Sequence, residues 1–210
     1  MPTNRAQILD WIRNYAVVIR ENRDYLTQLD SAIGDADHGA NMDRGFQAVV
    51  AKLPTVEDKD IGTILKSSGM TLLSTVGGAG GPLYGTLFMQ FGTAGVGKEE
   101  LADTDVVAMF DAGLKGVVNR GKAEVGDKTM VDALTPAVAA LREAVDKGEP
   151  LPAALEAMRA AAEQGMTGTI PLVARKGRAS YLGERSAGHQ DPGATSSYLL
   201  LKTAAETLTK

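Results

Sequence analysis

The chain has 210 residues, 44% of them hydrophobic, and a net charge of −4, which is enough for one sizeable core and too apolar for a disordered chain. The acidic balance excludes a phosphate-backbone binder, whose affinity comes from clustered lysine and arginine, so no nucleic-acid partner is expected. There is no cysteine, which excludes disulfides, thiolate metal sites and thiol nucleophiles.

The first residues, MPTNRAQILDWIRNY, are polar and lack the apolar core of a signal peptide. No apolar run reaches the length of a bilayer span, so the expectation is a soluble, cytoplasmic protein with no membrane partner. Ile8, Trp11, Ile12, Tyr15, Val18 and Ile19 recur at spacings of three and four, which predicts an amphipathic helix. Tyr25, Leu26 and Leu29 predict a second short helix that runs into an aspartate-rich loop. Phe46, Val49, Val50 and Leu53 mark a third, stopped near Pro54, and Ile61, Ile64, Leu65, Leu72 and Leu73 a fourth over residues 60–75. Pro82 is expected at the first position of the next, which carries Leu83, Leu87 and Phe88. Val106, Val107, Phe110, Leu114, Val117 and Val118 form a long stripe, followed by Leu134, Val138, Leu141 and Val145. Leu151, Leu155 and Met158 open an alanine-rich helix, and Tyr198, Leu199 and Leu201 belong to the last. Strand-length alternation is scarce. The fold class is therefore all-α, a bundle of about eight helices forming one domain over residues 1–210, with the apolar stripes as its core.

Four interruptions are rich in Gly, Asp and Arg: residues 30–41, 76–85 (VGGAGGPLYG), 119–130 (NRGKAEVGDKTM) and 175–193 (RKGRASYLGERSAGHQDPG). Helix connections in bundles need about two to eight residues, and the last of these is far longer. In the first, SAIGDADHGANMDRG, Asp30, Asp35 and Asp37 converge only if the chain turns sharply, which Gly34 and Gly39 would permit. Such a loop is either a solvated acidic turn or an all-oxygen site for a hard cation. Mg²⁺ suits it better than Ca²⁺: counted from Asp30, the sixth and twelfth positions of a calcium loop are Asp35 and Asn41, where glycine and glutamate are needed.

Gly77, Gly78, Ala79, Gly80 and Gly81 expose backbone N–H groups at a helix start, either as a phosphate cradle or as a flexible or closely packed link. Two imitations of the phosphate-binding loop fail. In GTAGVGKE (92–99) Glu99 replaces the metal-binding hydroxyl, and in GKAEVGDKT (121–129) Asp127 separates glycine from lysine. His38, one of two histidines, is a polar loop residue, a hydrogen-bond donor to phosphate or the nucleophile of a phosphohistidine carrier. Arg175, Lys176, Arg178 and Arg185 supply positive charge, either for solubility or for paired contacts to phosphate. Asp191, Pro192 and Gly193 form a turn that caps the last helix or touches a nucleotide. Carboxylates, glycine amides and arginine are together the tools of phosphoryl transfer, with the nucleotide among the loops at one end of the bundle.

The segments LDSAIGDADHGANMDRGF, GMTLLSTVGGAGGPLYGT, RGKAEVGDKTM and ARKGRASYLGERSAGHQDPGATS, in that order, resemble the nucleotide-binding subunits of bacterial dihydroxyacetone kinases nearly end to end. The resemblance implies a closed barrel of antiparallel helices with ADP or ATP at one rim. It implies that Asp30, Asp35 and Asp37 are catalytic and bind two Mg²⁺ ions, with Arg178 completing the catalytic set. It further implies that His38, Gly39, Ala40 and Asn41 surround the phosphates, with Gly78, Ala79 and Gly80 as the glycine-loop contacts. Gly121 and Met130 would line the adenine pocket, and Asp191, Pro192 and Gly193 would close the site. One departure is Gly80, where the family often has serine, so a hydroxyl contact to phosphate is lost and weaker binding follows.

A free-standing chain with GDADHG points to the phosphotransferase-system mode, in which resident ADP is rephosphorylated by a phosphohistidine donor subunit. The γ-phosphoryl group then passes to dihydroxyacetone held on a partner subunit, and a homodimer is a further candidate assembly. The alternatives are an ATP-dependent kinase subunit with exchangeable ATP and a nucleotide-sensing module that regulates a partner.

Overall fold

The computed structural model describes residues 2–209. Among them are α1 (Arg5–Glu21), α2 (Arg23–Ile33), α3 (His38–Lys52), α4 (Ile61–Thr75), α5 (Gly80–Ala94), α6 (Asp103–Gly121), α7 (Met130–Asp146), α8 (Leu151–Gly168) and α9 (Pro192–Thr207). β1 (Thr3–Asn4) pairs antiparallel with β2 (Glu100–Leu101), a clip rather than a sheet. The fold is all-α, and the predicted stripes fall in these helices except Leu53, which opens a 3-10 turn. Pro82 stands third in α5 rather than first, because Gly80 and Gly81 are already helical. Anywhere in a first turn, a proline nitrogen leaves no donor unpaired.

Neighbouring helices pack in series from α3 through α9, and α1 closes the series by packing on both α3 and α9. The closing contact is antiparallel and polar at its edges. The Trp11 indole donates to the Leu200 carbonyl at 3.1 Å, Tyr15 hydroxyl to Ser196 at 2.9 Å and Gln7 to Leu208 at 3.1 Å. Inside, Trp11 stacks on Phe88 with ring centroids 6.0 Å apart, and Phe91 and Phe110 complete the cluster. Phe46 bridges it to Tyr15, edge-on at 4.6 Å, and to Tyr84. All four phenylalanines and the single tryptophan of the sequence therefore meet in one aromatic core.

The α4–α5 pair is a close contact, because glycines face backbone across it. A Cβ on Gly69 would lie 2.6 Å from the Met89 nitrogen and 2.7 Å from the Gly85 oxygen, and one on Gly62 would meet Gly92 and Val96 as closely. These partners run antiparallel, and the pair ends at the Val76–Ala79 turn. Alanine is the better helix former by about 1 kcal/mol, yet here its methyl has no room. Gly69→Ala is expected to destabilise the fold by about 1–3 kcal/mol, the usual cost of overpacking. Chemical denaturation measures it, and an unchanged midpoint would refute the close-approach account.

Candidate nucleotide and metal site

Four interhelical loops line a cleft of about 190 Å³ that is open to solvent. Its floor is set by Asp30, the only one of the three aspartates on a helix. This buried carboxylate accepts the backbone N–H of Asp37 at 2.8 Å and of His38 at 3.1 Å, so it caps α3 from seven residues upstream. Asp37, in the usual cap position, makes no such bond. The turn between is tight. Gly34 N donates to the Asp30 carbonyl at 2.5 Å, and a Cβ on Gly34 would fall 2.0 Å from Asp30 Oδ1. Gly39 is required for packing, since a Cβ there would strike the Arg23 carbonyl of α2 at 2.0 Å. The left-handed residue is Ala36, with φ +61°, so the glycines serve close approach while an alanine carries the turn.

One carboxylate oxygen from each of Asp30, Asp35 and Asp37 lies within 4.8 Å of the others. Three oxygen ligands facing an open cleft fit Mg²⁺, which keeps waters and shares its shell with phosphate. Across the mouth, Arg178 Nε meets Asp35 Oδ2 at 2.8 Å. Both side chains are well exposed, so this pair contributes little to stability and is free to exchange partners.

The glycine loop forms the next wall. Gly78 adopts φ +61°, and α5 begins at Gly80 with Ala79 as its cap residue. A Cβ on Gly77 would sit 2.9 Å from Asn41 Oδ1, so this backbone lies directly on the Asn41 amide. Arg44 orients that amide through a 2.7 Å bond while holding the Thr75 carbonyl at 2.9 Å. Behind them, His38 Nε2 shares a 2.9 Å hydrogen bond with Ser196 Oγ, which meets the Tyr84 hydroxyl at 2.7 Å. Burial lowers the His38 pKa below 6.5, against the pull of Asp30 and Asp37, and keeps the ring neutral at pH 7. With Nε2 engaged by Ser196, this imidazole is poorly placed as a phosphoryl carrier.

Thr129 caps α7 and Asp191 caps α9, whose Oδ2 accepts Ala194 N at 2.7 Å. The residues opening α3, α5, α7 and α9 all line the cleft. Four helix N-termini thus direct partial positive charge and spare N–H donors at one place, an arrangement for anions. The long loop covers them. Its 3-10 segment Arg178–Ser186 is anchored by a small apolar cluster of Ile33, Ala174, Ala179 and Leu182.

Of the residues singled out in the sequence, Asp30, Asp35, Asp37, His38, Asn41, Gly78, Ala79, Gly80, Met130, Arg178, Asp191, Pro192 and Gly193 line the cleft. Gly39, Ala40 and Gly121 do not. Gly39 packs on α2, and Gly121 stands behind the lining residue Leu83, 3.2 Å from where its Cβ would be. Leu83, Tyr84, Lys128 and Thr129 are cleft residues that sequence reasoning passed over. Thr129 carried a signal, because Asp132 three residues on completes a capping box. Lys128 carried none.

The DAK2 domain family model matches residues 32–206. The chain is 51% identical over 205 residues to the ADP-binding subunit DhaL of the PEP-dependent dihydroxyacetone kinase of Escherichia coli (strain K12), with 98% of each covered. It is 39% identical to the ADP-binding subunit DhaL of the PTS-dependent dihydroxyacetone kinase of Lactococcus lactis subsp. lactis (strain IL1403), over 94% of this chain and 95% of that one. The crystal structure of the dihydroxyacetone kinase from C. freundii in complex with AMP-PNP and Mg²⁺ matches with a TM-score of 0.73 at 25% identity. That match covers 98% of this chain but 34% of the larger one, so the chain spans about a third of that enzyme. The chain belongs to the DAK2 domain family and, with its DhaL relatives, to the kinase subunits of that family.

Burial raises the Asp191 carboxyl from 3.8 to about 7, with Asp132 and Asp30 adding to the rise and the Ala194 N–H and Lys128 opposing it. The folded state therefore holds this proton more tightly than the unfolded one. Its contribution to stability is complete below about pH 4 and is lost as pH rises towards 7. Asp191→Asn keeps a capping oxygen, so in metal-free protein it should gain stability relative to wild type between pH 4 and pH 8. Parallel denaturant titrations check this, and a pH-independent difference would contradict it.

Proposed function

We propose that this chain is the nucleotide-holding subunit of a dihydroxyacetone kinase, one cytoplasmic domain over residues 1–210 that retains ADP with two Mg²⁺ ions. The ADP is rephosphorylated by a phosphohistidine protein of the phosphotransferase system. The γ-phosphoryl group passes to dihydroxyacetone held on a partner subunit. The observation that carries the reading is the meeting of three carboxylates, four helix N-termini and Arg178 at one cleft.

When bound, Mg²⁺ neutralises and aligns phosphate oxygens. Asp30, Asp35 and Asp37 would hold it, Asp30 fixed by the two N–H bonds that cap α3. The amides of Gly78, Ala79 and Gly80 at the start of α5 would hold phosphate, and Asn41, oriented by Arg44, would serve the same task. Arg178, which pairs with Asp35, would stabilise the charge that develops during transfer. Leu83 and Met130 give the apolar wall that a purine needs, with Gly121 behind Leu83.

Reconstitution tests the reading. Phosphorylated dihydroxyacetone is expected only when the chain, the phosphohistidine donor and the dihydroxyacetone-binding subunit are all present. Turnover from free ATP without the donor would mean an exchangeable-ATP kinase, and nucleotide binding without any transfer would mean a sensor.

A Cβ on Gly80 would meet only Val76 Cγ1, at 3.2 Å, so serine fits once that methyl gives by a few tenths of an ångström. Gly80→Ser should tighten ADP binding by roughly 2–10-fold, the worth of one hydrogen bond. Calorimetry reads the change, and unaltered affinity would contradict the weaker binding attributed to the missing hydroxyl.

A further inference from the structure

Four backbone carbonyls converge on the Lys128 ammonium. Thr169 lies at 2.7 Å, Leu172 at 3.1 Å and Ile170 at 3.4 Å, and His189 is the fourth. An ammonium has three N–H donors, so four oxygens exceed its hydrogen bonds and the group is held as a charge. Thr169 and Ile170 follow directly on α8, where a helix presents unpaired carbonyls and partial negative charge. His189 stands at the far end of the long loop. Lys128 is 1% exposed, with its backbone at φ +63°, a conformation a lysine adopts only when held. Asp132 does the holding, accepting Gly126 N at 2.6 Å and Thr129 N at 2.7 Å on either side of it.

The loop is sewn to itself at the same level, by Gly188 N to the Ile170 carbonyl at 2.8 Å and Asp191 N to Thr169 Oγ1 at 3.1 Å. Lys128 therefore sits where both ends of the loop carrying Arg178 meet the turn before α7. A cage of carbonyl oxygens replacing a hydration shell is how proteins bind potassium.

We propose that Lys128 is a positioning residue acting as a tethered monovalent cation, whose ammonium fills a carbonyl cage and so holds the loop 169–191 against the nucleotide cleft. The link to catalysis rests on the nucleotide reading above, but the cage does not. Removing the side chain to its Cβ leaves a space that K⁺ or NH₄⁺ can enter. Methionine leaves the stem and an uncharged methyl group that blocks it.

The test uses full-length Lys128→Ala, Lys128→Met and wild type in KCl, NH₄Cl, NaCl or tetramethylammonium chloride at equal ionic strength. Amide hydrogen exchange over residues 173–190 and ADP retention are read in each. Wild type should be indifferent to the salt. In NaCl the loop of both variants should exchange at least roughly tenfold faster while helix cores stay protected. KCl and NH₄Cl should restore protection and ADP retention to Lys128→Ala and leave Lys128→Met unrestored. Loss in Lys128→Ala that neither cation reverses, or wild-type loop protection in Lys128→Met, would overturn the proposal. If Lys128→Ala does not fold, the Lys128→Met loop decides alone. Salt-specific loop protection with no nucleotide bound even by wild type would sustain the cage and sink the nucleotide reading instead.

Discussion

The structure turns on the convergence of helix N-termini. Antiparallel packing sends alternate helices in opposite directions, so the starts of α3, α5, α7 and α9 share one rim while the end of α2 arrives among them. Uncapped, these ends would leave N–H donors without partners. The chain satisfies a share of them with side-chain oxygens, the carboxylates of Asp30 for α3, Asp132 for α7 and Asp191 for α9 and the Thr129 hydroxyl for α7. The α5 end, built of glycine, has no side-chain cap. The rim thus combines acidic groups that suit a cation with open amides that suit an anion, and a metal-bound polyphosphate needs both.

That arrangement puts buried charge where an apolar core would be more stable. Asp191 is pushed towards neutrality by its burial, and burial lowers the Lys128 pKa against the pull of Asp191 and Asp132. Groups held this way carry a desolvation cost that only a fixed partner offsets. The aromatic cluster around Trp11 and the glycine-lined α4–α5 contact supply the rigidity on which such a rim can be built.

The helices were legible because amphipathic periodicity is a local signal, and the aspartate, glycine and arginine loops because their composition departs from what a connection needs. Geometry within the loops was not. Gly34 and Gly39 read as turn residues, yet they avoid collisions with Asp30 and Arg23, and the left-handed position falls to Ala36. Asp30 read as one ligand of three, and its role as the cap that places the other two depends on a contact seven residues away. Arg44 and Lys128 were invisible for one reason: their partners are largely backbone carbonyls, which every residue has and no motif records.

Under the proposed function, the Asp30 turn is the anchor of a resident, metal-bound nucleotide. The most direct test is the nucleotide content of protein purified in Mg²⁺ with none added, denatured and analysed by chromatography and mass spectrometry. Near-stoichiometric ADP, stripped when Mg²⁺ is chelated before the final wash, is the predicted result. Protein that releases no nucleotide, and takes up neither ADP nor ATP when these are supplied with Mg²⁺, would contradict it.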